Sequence, residues 1–148
     1  RSFHVTGVQT CALPIYIDDF KHINDTQGHE GGDRVLKAIA HTFATSVRSD
    51  DIVARLGGDE FALILENVTL LQATARVTGI VGTLPGATPQ SKGSLTVSCG
   101  VAEFSAGDTP QSLMKRADEA LYEAKRQGKG RVVPKAAPLI RDLRSGRH

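Results

Sequence analysis

The chain has 148 residues, 40% hydrophobic and 23% charged, enough for one domain with a core of its own. A net charge of +2 is too small to mark a nucleic-acid or membrane surface, and no apolar run is long enough to cross a bilayer. Cys11 and Cys99 make neither a disulfide framework nor a zinc pattern, and nothing resembles a secretory signal, so the expected location is a reducing cytoplasm.

In chain order, the pattern over Phe3 to Ile17 reads as a strand or an irregular apolar arm. "GGDRVLKAIAHTFATSV" then spaces Val35, Ile39, Phe43 and Val47 four apart, with Leu36 and Ala40 beside them, which predicts an amphipathic helix packed on a sheet. "DIVAR" and "FALIL" are short strands joined at Gly57 and Gly58, residues that tolerate positive φ or admit the close approach of a backbone or ligand. This hairpin sets Asp59 beside Glu60 at an exposed edge. Neighbouring carboxylates repel, a cost offset by water or by a divalent cation between them. A bare "GGDE" taken alone is a solvated acidic hairpin tip. "TLLQATARVTGIVGTL" keeps helical spacing through Leu70, Ala73, Val77, Ile80 and Leu84, and "LPGATPQSKG" is a loop. "LTVSCGVAEF" alternates at Leu95, Val97, Cys99 and Val101, predicting a strand with one buried face and a bulge at Gly100. "DTPQSLMKRADEALYEAKRQG" opens on Asp108 or Thr109 as cap with Pro110 in the first turn, and stops near Gly128. "RVV" is a short final strand, and residues 134–148 are a basic tail. The hairpin forces antiparallel neighbours, so the expected fold is an α/β sandwich with a central, largely antiparallel sheet rather than a doubly wound one.

Four separated motifs, "DDFKHINDTQGHEGGDRVL", "ARLGGDEFALIL", "TVSCGVAEF" and "RADEALYEAKRQGKGRVV", stand in the order and at the spacing of one family. Over roughly Ile17 to Val133 the chain resembles the GGDEF-domain family, bacterial diguanylate cyclases that condense two GTP into cyclic di-GMP and two pyrophosphates. The resemblance implies that Asp59 is a metal ligand, with Glu60 beside it in the catalytic site, and that the Ile17 carbonyl is a second ligand to Mg2+ or Mn2+. Hard oxygen donors suit an ion that neutralises a triphosphate and activates a hydroxyl. It implies that Asn24 and Asp33 read the guanine edge, an amide and a carboxylate suiting its O6 acceptor and N1 and N2 donors. Lys21, Lys125 and Lys129 match phosphate contacts, with Gly57 and Gly58 bringing the turn against the nucleotide. Lys129 stands where the family usually has arginine, keeping the charge but losing the bidentate fork. Each has an ordinary structural reading as well: Asn24 and Asp33 as caps, Lys125 and Lys129 as solvated cations near a helix C-terminus.

Arg48 and Asp51 match the R-x-x-D pair of the family's inhibitory product site, which binds cyclic di-GMP, with Arg76 on the next helix placed to assist. The resemblance implies a homodimer in which each subunit holds one GTP, and an upstream sensory region outside this chain, through which the parent could be membrane-anchored. The alternative from another class is an inactive module that binds GTP or cyclic di-GMP as a sensor.

The departure lies at the start. Tyr16 occupies the position of the family's first acidic metal ligand, and a phenol with a pKa of about 10 is a poor partner for magnesium. Asp18, two residues on, could share its strand face and substitute in part. The run "VTGVQTCALPI", Val5 to Ile15, looks like the in-frame translation of a common sequencing-library adapter, so residues 1–15 are unassigned and treated as non-native, with the domain at 16–133. The family's central first strand is thus expected to be missing or replaced, and Pro14 to make a poor substitute because it cannot donate a ladder hydrogen bond.

Overall fold

The computed structural model describes residues 9–84 and 95–138. Its elements are β1 (Thr10–Ile17), α1 (Phe20–Ser46), β2 (Ile52–Gly57), β3 (Glu60–Glu66), α2 (Leu70–Gly82), β4 (Val97–Glu103), α3 (Pro110–Arg126) and β5 (Val132–Lys135). One sheet takes the order β2-β3-β1-β4-β5, antiparallel throughout except for the parallel pair β4 and β5, which α3 connects. The largely antiparallel sandwich expected from the hairpin is the architecture observed. Most of the expected loop over 84–93, and residues 139–148 of the tail, fall outside the described residues.

The central slot is filled. β1 draws six of its residues from the adapter-like run, and from Cys11 to Ile17 only Tyr16 is not fully buried. A strand covered on both faces requires a continuous apolar run, which "CALPI" supplies. Leu13 and Pro14 pair with Leu63 and Ala62 of β3, whereas pairing with β4 runs from Cys11 and Ala12 to Ile15 and skips both. The missing proline N–H thus costs one rung on the β4 side and leaves the β3 ladder whole.

Period-two alternation sorts the sheet into two faces. Leu13, Ile15, Ile17, Phe61, Leu63, Leu65, Val97, Cys99 and Val101 meet Ile39 and Phe43 of α1 and Ala73, Val77 and Ile80 of α2 in the main core. Phe43 stands edge-on to Phe61 with ring centroids 5.7 Å apart, worth about 0.5–1.5 kcal/mol beyond the area it buries. Ala12 and Ala102 on the other face meet Leu113 and Ala117 of α3. β4 is therefore buried on both faces, not one as its alternation predicts. Its second face is Ser98, Gly100 and Ala102, small residues that let a helix lie close. Gly100 is no bulge, since the β1–β4 register runs unbroken past it. A Cβ there would lie 2.3 Å from the Ala117 carbonyl oxygen, so glycine is what the α3 contact demands.

Two of the three helices open on a capping box, and the Thr109 one is a cap that the sequence offered. Thr69 and Thr109 each accept a hydrogen bond from the backbone N–H three residues on, and Gln72 and Ser112 return the bond in capping boxes. α1 starts earlier than its apolar spacing predicts, at Phe20 instead of near Gly31. Its added segment, "FKHINDTQ", is poor in strong helix formers but buries Phe20 and Ile23, three apart on one face, so packing overrides propensity. Gly28, at φ 74° and ψ 171°, breaks the helix into two pieces and needs glycine to do so. Pro134 and Lys135, expected in the tail, extend the final strand.

Candidate functional site

The C-terminal end of β1, the β2–β3 hairpin and the turn after α3 converge at one corner of the sheet. Tyr16 pairs with Glu60 of β3 and Ser98 of β4, and the Ile17 N–H donates to the Asp59 carbonyl at 2.9 Å, pinning the hairpin tip to the central strand. Asp59 and Glu60 are half-buried beside the Tyr16 ring. Gly57 and Gly58 do not use their tolerance of positive φ, and a Cβ at either meets nothing within 4 Å. Neither backbone strain nor internal packing requires glycine there, which leaves the bare turn open to a ligand.

Tyr16 carries the electrostatics of this corner. Lys125, in the last turn of α3, sets its Nζ 3.7 Å from the Tyr16 ring centroid, a cation–π contact. Burial and the nearby Asp59 carboxylate push the phenol above its ordinary pKa, against the opposing pull of Lys129. It therefore stays protonated at neutral pH and offers a metal no anionic oxygen. Lys129 adopts φ 65° and gives its Nζ to Asp19 Oδ1 at 3.0 Å, an exposed pair that raises the lysine's pKa.

The expected metal donors form an incomplete set at this corner. Asp59 and Glu60 are carboxylates and the Ile17 carbonyl is a hard donor, but among the described residues no three His, Cys, Asp or Glu side chains stand together as a metal cluster. Asp18 is no substitute. It is 4% exposed, and its carboxylate accepts from Thr96 Oγ1 and Ser98 Oγ at 2.8 Å and from the Gly130 N–H at 3.0 Å. With a protonated phenol under a lysine at position 16, the set does not fit a divalent ion as it stands.

Across the Gly28 break, Asn24 lies against Gly32, the residue before Asp33. A Cβ on Gly32 would sit 1.9 Å from Asn24 Oδ1, so the bare backbone of residue 32 makes room for the amide, and Asp33 follows directly. Neither Asn24 nor Asp33 is the cap of an element: the residue before α1 is Asp19. Lys21 is exposed one residue into α1.

Arg48 and Asp51 close the turn between α1 and β2, away from this corner. Asp51 Oδ1 accepts the Glu66 N–H at 2.9 Å, while Oδ2 accepts the Arg48 N–H and Arg76 Nη2, each at 2.8 Å. Burial would raise this carboxyl, but the bonds from Glu66, Arg76 and Arg48 outweigh it and hold the pKa below the ordinary value. Asp51 is thus engaged by the fold, the Arg48 residue is exposed, and Arg76 Nη1 is buried with no partner among the described residues. The three-donor environment of the buried Asp18 carboxylate escaped sequence reasoning; its signal was the polar pair Thr96 and Ser98, two residues apart, with the glycine-flanked Lys129 further on.

The family model "Diguanylate cyclase, GGDEF domain" matches residues 2–131. The response regulator PleD of Caulobacter vibrioides is 43% identical over 137 residues, covering 88% of this chain and 30% of that protein. The diguanylate cyclase DosC of Escherichia coli is 41% identical over 131 residues, 86% of this chain and 28% of that protein. The chain thus spans less than a third of the length of these relatives. Among solved structures, the GGDEF domain of DgcB from Caulobacter crescentus in complex with c-di-GMP superposes with a TM-score of 0.80 at 32% identity, covering 89% of this chain and 81% of that one.

Proposed function

Because the chain belongs to the GGDEF-domain family of diguanylate cyclases, we propose that it is a guanine-nucleotide-binding domain from a parent that condenses two GTP into cyclic di-GMP. Asn24 and Asp33 hold the guanine edge, and Lys21, Lys125 and Lys129 face the phosphates with the bare Gly57–Gly58 turn. Each subunit binds one nucleotide, so the reaction needs a homodimer that sets the 3′-hydroxyl of one GTP against the α-phosphorus of the other. The observation that carries this reading is the convergence of Asp59, Glu60, Lys125 and Lys129 at one corner, where the hairpin tip is bonded to the end of β1.

Divalent-metal dependence is general in the family. A carboxylate at position 16 would join Asp59 and the Ile17 carbonyl in a set of hard oxygens for Mg2+ or Mn2+; with Tyr16 no catalytic step through a metal is assigned. A second reading is favoured for the chain with Tyr16: a module that binds nucleotide without turning it over. The Lys125 cation over a protonated phenol supports it directly. Arg48 and Arg76 are the residues proposed to take up cyclic di-GMP at the separate product site, with Asp51 holding both in place. Among the described residues no helix is long and apolar enough to cross a membrane, and the cytoplasmic location is part of this proposal.

Competition binding with GTP and ATP tests the base pocket. Asp33→Ala should weaken GTP and erode its preference over ATP, since an unpaired buried guanine donor costs roughly 1–3 kcal/mol. An unchanged preference would remove Asp33 from the pocket.

A further inference from the structure

We propose that Asp18 is a positioning residue that clamps the turn after α3 and so fixes Lys129 and the end of α3 at the phosphate side of the site. The inference rests on the reading of Lys125 and Lys129 as phosphate contacts. Asp18 touches no nucleotide in this account. It acts through the chain that carries the lysines.

Three donors from two segments far apart in the sequence meet on this one buried carboxylate. Thr96, just before β4, and Ser98, within it, supply hydroxyls, and Gly130, after α3, supplies its backbone N–H. The Gly130 N–H also reaches Ser98 Oγ at 3.2 Å, and the Asp18 N–H donates to the Thr96 carbonyl at 3.0 Å. An apolar side chain would fill the space but accept none of these bonds, and a buried N–H left unpaired is costly.

The turn needs such an anchor because its own preferences oppose it. Gly128, Lys129 and Gly130 take φ of 119°, 65° and 60° in succession, and the middle residue carries a Cβ in the left-handed region that disfavours it. On the helix side the turn is tied by the Gly128 N–H to the Lys125 carbonyl and the Lys129 N–H to the Ala124 carbonyl. Toward the sheet, the turn is closed by the Gly130 N–H, which donates to Asp18 and reaches Ser98 Oγ, and by the Cys99 N–H, which donates to the Arg131 carbonyl at 2.9 Å. Thr96 packs against the bare Gly130, with its Cβ 3.4 Å from where a Gly130 Cβ would stand. Fixing this turn aims the Lys129 side chain at Asp19 across the corner and holds the α3 terminus where Lys125 covers Tyr16.

The test compares GTP with guanosine by calorimetry, with the metal chelated, in the full chain and in Asp18→Ala, Asp18→Asn and Ser98→Ala. Asp18→Ala should lower GTP affinity about tenfold, the loss of roughly one charge-assisted contact, with guanosine affinity unchanged. Hydrogen exchange at the Gly130 amide should accelerate in parallel. Asp18→Asn keeps an acceptor for that amide and should retain most of the GTP affinity. Ser98→Ala, which leaves Asp18 in place, should give a smaller loss with the same selectivity, and it carries the test if Asp18→Ala does not fold. Equal losses for GTP and guanosine, or no GTP loss in a variant whose Gly130 amide exchanges faster, would overturn the proposal. Lys125→Ala and Lys129→Ala separate the two layers. If they weaken GTP and the Asp18 variants do not, only the clamp fails; if neither lysine matters, the phosphate reading falls and takes the clamp with it.

Discussion

A single methyl group at Gly100 should disturb both the stability of the domain and its nucleotide site. The Cβ of Gly100→Ala would lie 2.3 Å from the Ala117 carbonyl oxygen and 2.4 Å from the Leu121 nitrogen, both backbone atoms of α3 that cannot swing aside. Ordinary carbon contacts lie near 3.5 Å, so α3 must withdraw by about 1 Å. That movement opens the layer that Leu113, Ala117, Leu121 and Ala124 now seal. Overpacking of this kind costs about 1–3 kcal/mol, and rigid backbone on both sides places this case near 3 kcal/mol. For a domain of this size the melting temperature should fall by about 10 °C. Because Lys125 sits in the last turn of the same helix, GTP affinity should fall as well. Urea and thermal unfolding followed by circular dichroism, with a GTP titration well below the new midpoint, check both effects. A melting temperature within about 2 °C of the parent would show that α3 does not lie against β4 as described.

Asp108 supplies a pH dependence. Its bidentate bonds from Arg116, at 3.0 and 2.6 Å, outweigh the opposing effect of burial and hold its carboxyl far below the ordinary value of 3.8. A pKa depressed in the folded state adds stability that is complete above the unfolded value and declines as pH falls below about 4. Asp108→Asn should therefore be less stable than the parent in urea at pH 7, with the gap narrowing toward pH 3; a gap that stays constant would remove this carboxylate from the balance. At the other end of the fold, Arg48→Ala should weaken cyclic di-GMP binding in calorimetry without altering the urea midpoint, because its side chain is exposed. Asp51→Ala should lower the unfolding free energy by about 3 kcal/mol and the urea midpoint with it, since it strips Arg76 of its buried partner. Equal cyclic di-GMP affinity in Arg48→Ala and the parent would dismiss the product site.

Much of this architecture was legible because it is written in short-range patterns. The hairpin at Gly57, the Thr109 cap with Pro110 behind it, and the four-apart spacing of α1 from Val35 onward all appear where local rules place them. What escaped depends on tertiary partners. The first segment of α1 has a loop-like composition and becomes helical by burying Phe20 and Ile23. The second face of β4 looked polar or blank because Ser98, Gly100 and Ala102 are small rather than apolar, and only the approach of α3 explains them. Pro14 looked a poor fit for a central strand until the register showed its missing bond confined to one neighbour. For the site, the motif spacing selected Asp59, Asn24, Asp33 and Lys125, but not the dual fate of the two residues beside the lost ligand. Tyr16 is held under a lysine, and Asp18 is consumed by hydrogen bonds from β4 and the Gly130 amide.

The central claim is that Tyr16 separates nucleotide binding from turnover in this chain. Chromatographic detection of cyclic di-GMP after incubation with GTP and magnesium, for the parent chain and for Tyr16→Asp at equal concentration, addresses it directly. The parent should bind GTP but form little or no product. Tyr16→Asp removes the ring beneath Lys125 and adds a carboxylate beside Asp59, so it should form product at a rate that rises with protein concentration, as a two-subunit reaction requires. Robust product formation by the parent, or GTP-bound Tyr16→Asp that remains silent at every protein concentration, would contradict the account.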